Sequence, residues 1–263
     1  KMRAGRFFDL ARSGERSTLL DMALVIETVT RAVGIVPLTA HGLVAPLLFQ
    51  EDSDQIIAIQ DTAAAGPYRF AGDATILIRF EGDVANAYRC IPGEQVAVKS
   101  NYVYPLAFAG TVQGGPVASA PAAAVRRRHR IGISAECVGA MDALLKQLVD
   151  YLSVREQFGR KIGSFQAIHH RLAELSVLLE GSRWLAREAA WLDDDESAAL
   201  AATYAAKAAR RLCWEAHELA GARGFSVDFG LYQHTLRLQA LSIEAGGIQE
   251  HADSAAELVW SIS

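Results

Sequence analysis

The chain has 263 residues, 51% hydrophobic and 21% charged, with a formal net charge of -4. That balance excludes a chain too polar to bury a core, and the lack of a basic excess argues against nucleic-acid binding. The length allows one large domain or two to three small ones. The cysteines, Cys90, Cys137 and Cys213, are odd in number and lack CxxC spacing, so neither a disulfide framework nor a metal site follows. A reducing cytoplasm is the simplest setting.

Residues 17 to about 50 read as helical, with Leu19, Leu20, Ala23, Leu24, Ile26 and Val29 near the helical period. Ser17 or Thr18 is the expected cap, and Pro37 suits the first turn of a second helix. From about Asp61 to Ala120 the texture changes. The short apolar runs Ile76–Ile78, Val96–Val98 and Tyr102–Tyr104, punctuated by Gly, Pro and Asn, read as strands. Two uncharged stretches, 32–50 and 101–125, contain prolines that would break a spanning helix, so no membrane segment is expected.

From Ala122 onward the chain reads as helical again. The basic run Arg126-Arg127-Arg128-His129-Arg130 is expected to be a solvated helix start. Phe165, Ile168, Leu172, Leu175, Leu179, Ser182 and Ala186 form one stripe, with Ser164 as its expected N-cap. Asp193 to Glu196 sit where a helix dipole favours acids, and Gly221 and Gly224 suit a helix stop. The expected fold is mainly α with a central β region. An incomplete N-terminal helical domain (1–60) precedes a reduced β domain (61–121) and a C-terminal helical bundle (122–263).

The stretch from Tyr151 to Gln166 resembles the Y-x-x-x-R-x-Q-F-G-x-x-I-x-x-F-Q signature of the acyl-CoA dehydrogenase family, a three-part fold of N-terminal helices, small β-barrel-type domain and four-helix bundle. The likeness continues through His170 to Glu174 and the Glu180–Arg183 region, and covers residues 19–48. It implies α,β-dehydrogenation of an acyl-CoA thioester. A glutamate takes the α-proton, and FAD takes the hydride. It also implies that Arg155 reaches the FAD pyrophosphate of a neighbouring subunit. Gln157 and Phe158 would line the same surface, with Gln166 on the cofactor from the next helix. A second loop, Glu218 to Phe225, resembles the family's Q-x-x-G-G-x-G-[FY] pattern, in which Gly221 and Gly224 admit the cofactor. Glu218 and Ala222 depart from it, with Arg223 and Arg155 available to offset the added charge.

The family places its base at one of two positions. The earlier falls on His129. The later, in a Y-E-G-T pattern, falls on Ile243 when Ile248-Gln249 is matched without a gap. Glu244, one residue on, is a weak candidate base and is expected to be an exposed helix-end acid. The T-E-x-x-x-G-S-D segment is not visible around Gln60 to Pro67, and the next strand motif is reduced to residues 71–76. This pattern resembles the non-catalytic subunit of α2β2 acyl-CoA dehydrogenases of bacterial steroid side-chain degradation. The resemblance implies FAD shared with a catalytic partner that binds the acyl-CoA, and an electron-transfer flavoprotein as acceptor. Two readings compete: a homo-oligomeric acyl-CoA dehydrogenase using Glu244, and a non-enzymatic helical scaffold.

Overall fold

The computed structural model describes residues 10, 16–50, 55–61 and 66–260. Helix α1 (Arg16–Arg31) buries Leu19, Met22, Ala23 and Ile26. It already includes residues 17 and 18, so the expected cap at Ser17 or Thr18 is displaced: both lie inside the first turn. Its last turn is closed from outside. The guanidinium of Arg237, 1% exposed, donates to the carbonyls of Thr30, Val33 and Gly34 at 3.0 to 3.3 Å, where a helix end has acceptors to satisfy and favours a cation. After Pro37, whose carbonyl accepts from His41 N–H, a π-helical stretch (Thr39–Val44) runs into a short helix, α2 (Ala45–Leu48).

The central region is made of strands, and among its described residues the only helical piece is the 3-10 turn Ala71–Asp73. Strands β1 (Ile57–Gln60), β3 (Ile76–Glu81), β4 (Val84–Cys90) and β7 (Val112–Pro121) form one sheet in the order β1-β3-β4-β7. β1 and β3 pair in parallel, Ile57 against Ile76, and the remaining pairs are antiparallel. A second sheet has the order β2-β6-β5, from β2 (Tyr68–Arg69), β5 (Val96–Val98) and β6 (Leu106–Phe108). The strand expected at Tyr102–Tyr104 is absent. That segment bends, Tyr104 turns inward to 3% exposure, and pairing starts only after Pro105, which has no N–H to give.

Helix α3 (Ala122–Val154) is the axis of the molecule, and every residue from His129 to Met141 is buried. A helix covered on all sides needs apolar or small residues around its circumference. Gly139 lets α1 approach so closely that a Cβ there would lie 2.2 Å from the Glu27 carbonyl oxygen, and one at Gly132 would lie 2.2 Å from Thr39. The basic run at the start of α3 is not solvated as expected. Arg127 pairs with Asp193 and Asp195, Arg128 pairs with Asp193, Arg130 donates to Ser254, and His129 is 2% exposed. Arg126 lies over the Phe80 ring.

A hairpin of β8 (Glu156–Gln157) and β9 (Arg160–Lys161) links α3 to α4 (Gln166–Leu192). α4 buries Leu175, Leu179, Ser182 and Ala186 of the expected stripe. Its N-cap position is Phe165 rather than Ser164, whose hydroxyl bonds back to the Lys161 carbonyl within a 3-10 turn. Asp194 caps α5 (Asp195–Ala220) by accepting from Ser197 N–H at 2.8 Å, and Gly221 ends it at φ 59°, ψ -146°. Buried alanines along α5 admit close neighbours. Helices α6 (Tyr232–Ser242) and α7 (Gly247–Val259) complete the bundle. No helix among the described residues is long and apolar enough to cross a membrane.

Candidate functional site

Two features stand out where the bundle meets the β region. The first is a buried ion network. Arg69, at the end of β2, donates from Nη1 to Glu136 Oε2 at 2.6 Å and from Nε to Glu244 Oε1 at 2.8 Å, while its Nη2 lies 2.7 Å from Glu244 Oε2. Glu136, on α3, also accepts from Tyr104 at 2.9 Å and Thr39 at 2.5 Å. His129 Nε2 lies 3.6 Å from Glu244 Oε1, and Asp61 Oδ2 accepts from Ala245 N–H. Burial alone would raise the Glu244 pKa, but Arg69 and His129 outweigh it and hold the carboxyl at about 2. Asp61 goes the other way: burial lifts it above the usual range, with Glu244 adding to the rise.

Glu244 is thus at a helix end, as expected, but its side chain is 17% exposed and doubly engaged by Arg69; the expectation of an exposed acid is corrected. A carboxylate held this low and turned onto an arginine is a poor proton acceptor near neutral pH. Asp61, His129 and Glu244 present ligand-type atoms within 4.8 Å of one another. Arg69 already occupies both Glu244 oxygens and adds a fixed positive charge, so the cluster reads as an ion network and not a metal site. The pocket lined by Arg69, His129, Glu136 and Glu244 is about 20 Å³, room for about one water molecule.

The second feature is a cavity of about 1150 Å³ between α5, α6, α7 and Tyr102. Arg210, Trp214, His217 and Glu218 line it from α5, followed by Gly221, Ala222 and Phe225, with Ile243 and the turn Gly246 to Gln249 opposite. Phe225 stacks on His217 with ring centroids 4.9 Å apart. Ile243, 63% exposed, faces this cavity, whereas Glu244 does not line it. The amino end of α7 opens on it, a place where backbone N–H groups lack partners and suit an anion.

The expected cofactor residues fall at one end of the bundle. Glu218 and Gly221 line the large cavity. Gly224 is buried just beneath, where a Cβ would meet Ala220 at 3.0 Å. Glu218 does not rely on Arg223 or Arg155 for its counter-charge: Arg171 pairs with it at 2.8 Å and also binds Glu215. Arg155, Gln157, Phe158 and Gln166 are exposed on and beside the β8–β9 hairpin. At the hairpin tip Phe158 and Gly159 have φ of 56° and 77°, as a two-residue type I′ turn requires, and Phe158 is left 90% exposed. Sequence reasoning missed Asp61, Arg69, Tyr104 and Glu136. The available signal was Glu136 itself, a lone charge inside the apolar run from Ile131 to Met141, which demands a buried partner.

Residues 125–259, just over half of the chain, match the family model for the acyl-CoA dehydrogenase C-terminal domain. The helical bundle that ends in the cavity-facing turn is therefore a known family unit, and the chain belongs to the acyl-CoA dehydrogenase family. Among curated relatives, a probable acyl-CoA dehydrogenase, YngJ, of Bacillus subtilis is 36% identical over 107 residues, 39% of this chain and 28% of that protein. Benzylmalonyl-CoA dehydrogenase of Aromatoleum aromaticum is 32% identical over 126 residues, 46% of this chain and 33% of its own length. These matches thus span about a third or less of the relatives. Among solved structures, the ChsE4-ChsE5 complex of Mycobacterium tuberculosis superposes with a TM-score of 0.76 at 19% identity, covering 92% of this chain and 80% of that one. The Tcur3481-Tcur3483 steroid ACAD gives 0.75 at 18%, covering 99% and 87%. At such identities the likeness is one of fold.

Proposed function

We propose that this chain is the partner subunit of a flavin-dependent acyl-CoA dehydrogenase, lacking its own catalytic base and completing the FAD site of a catalytic chain. The observation that carries the reading is that Ile243 stands at the gapless later base position, while the acid beside it, Glu244, is engaged by Arg69 in a small pocket. His129, at the earlier base position, lies 3.6 Å from Glu244, and the pocket that both line with Arg69 and Glu136 holds about 20 Å³. That is far below what an acyl chain needs beside a base. The residue that faces the large cavity at the gapless base position is Ile243, which has no proton to exchange.

The large cavity suits a flavin nucleotide. Trp214 and Phe225 offer aromatic surface, Gly221 and Gly247 allow close backbone approach, and Arg210 with the amino end of α7 offers positive potential for phosphates. Bound FAD would supply the electron-accepting ring. Arg155, on the exposed hairpin, is assigned to the pyrophosphate of FAD in the neighbouring subunit, with Gln157, Phe158 and Gln166 beside it. A catalytic chain would bring the glutamate and the acyl-CoA, with an electron-transfer flavoprotein as acceptor. Two of the fold relatives carry paired names, ChsE4-ChsE5 and Tcur3481-Tcur3483, and the second is called a steroid ACAD. That supports a paired assembly and a steroid side-chain CoA as the substrate class.

The test is to purify the native assembly and measure flavin absorbance per chain together with intact subunit masses. About half a flavin per chain with two distinct masses is expected. One flavin per chain and a single mass would overturn the reading and return the base role to Glu244.

A further inference from the structure

The turn joining α6 to α7 is fastened from behind and open in front. Ala245, Gly246 and Gly247 all have positive φ, 53°, 85° and 73°. Two glycines take that conformation readily, but alanine holds it only under outside constraint. The constraint is visible: Ala245 N–H donates to the Asp61 carboxylate, and the preceding Glu244 is gripped by Arg69. On the opposite side, Gly246, Gly247, Ile248 and Gln249 form one wall of the large cavity, which neither Asp61, Arg69, His129 nor Glu244 touches. Gly246 also borders a smaller cavity of about 270 Å³, shared with Asp61, His129 and Glu250.

We infer that Asp61 is a positioning residue, backed by the Arg69–Glu244 pair, that fixes this turn and with it the amino end of α7. Cofactor affinity is then set from the β region by a residue that does not touch the cofactor. The β1 strand end and α7 lie far apart in sequence, so one hydrogen bond links the β region directly to the cavity wall. The flavin half of this inference rests on the proposed reading of the large cavity. The clamp half does not.

The experiment uses the whole assembly in wild-type form and with Asp61→Ala or Asp61→Asn. Two quantities are read: hydrogen exchange of the amides at 245–249, and FAD affinity by fluorescence titration of the flavin-stripped protein. Asp61→Ala is expected to speed exchange at 245–249 at least tenfold with α3 unaffected, and to weaken FAD by about tenfold, the worth of one lost charge-assisted hydrogen bond. Asp61→Asn keeps an acceptor oxygen and is expected to restore both. Unchanged exchange at 245–249 in Asp61→Ala overturns the clamp, and so does an Asn variant that behaves like Ala. If Asp61→Ala does not assemble, Asp61→Ser takes its place in the same comparison. A Gly221→Val variant separates the two claims. Unchanged FAD affinity there sinks the flavin reading of the cavity, and the exchange data still decide the clamp.

Discussion

Glu136 sits in the middle of an apolar helical run, and its position shows how a single charge can organise an interior. Arg69, Tyr104 and Thr39 all converge on it. Taking one member of such a cluster away leaves the others buried and unpaired, which costs far more than the cluster contributes when whole. Glu136→Leu is therefore expected to lower stability by about 3–5 kcal/mol, read from urea denaturation. A loss below about 1 kcal/mol would mean the network carries little. At the exposed end, Arg155→Ala is expected to weaken FAD binding by roughly 1.5–3 kcal/mol without altering the melting temperature of the flavin-free protein. Unchanged flavin affinity would remove Arg155 from the cofactor site. Residues of the second kind were legible in the sequence because the motif fixes their spacing. Residues of the first kind were not, because Asp61 and Arg69 come from a loop and a two-residue strand whose partners are distant in the chain. The arginines at the start of α3 misled for the same reason: their acids lie about 65 residues on, beyond any local pattern.

At the scale of elements, the long helices could be read because periodicity and caps are local. Asp194 and Gly221 bracket α5 where composition puts them. The segment from Tyr102 to Tyr104 could not, since its alternation is that of a strand while tertiary burial of Tyr104 and the missing N–H of Pro105 decide otherwise. The closeness of α1 to α3 is set by Gly139, whose missing Cβ leaves no spare room. Gly139→Ala should raise helix propensity locally yet destabilise the fold by about 1–3 kcal/mol through forced separation of the two helices. A thermal melt checks the sign: a stabilised variant would show that α1 can move away freely.

For the whole molecule, two buried histidines set an acid limit. Burial, with Arg237 nearby, lowers the His234 pKa to about 4; burial, with Arg130 and His129 nearby, does the same for His251. His234 Nδ1 has no hydrogen-bond partner among the described residues. In the unfolded chain both would titrate near 6.5. The folded state therefore binds fewer protons between these values. Stability is complete above about pH 6.5 and falls as pH drops toward 4, by up to about 1.4 kcal/mol per pH unit for each ring. The Glu244 carboxylate, held at about 2, extends the loss below pH 4.5. Urea midpoints that stay level between pH 7 and 5 would contradict this.

The Arg69–Glu244 bond also has a kinetic meaning. It joins residues 175 positions apart, whereas α3, α4 and α5 pack on one another within the stretch from Ala122 to Ala220. Short loops close early in folding and long ones late, because closure entropy grows with the chain enclosed. The bundle should thus be assembled at the rate-limiting step while the Arg69–Glu244 contact is still open. Glu244→Gln is then expected to accelerate unfolding and leave refolding almost unchanged. The ion network acts as a late-closing fastener that determines how long the folded molecule persists, and has little bearing on how quickly it forms.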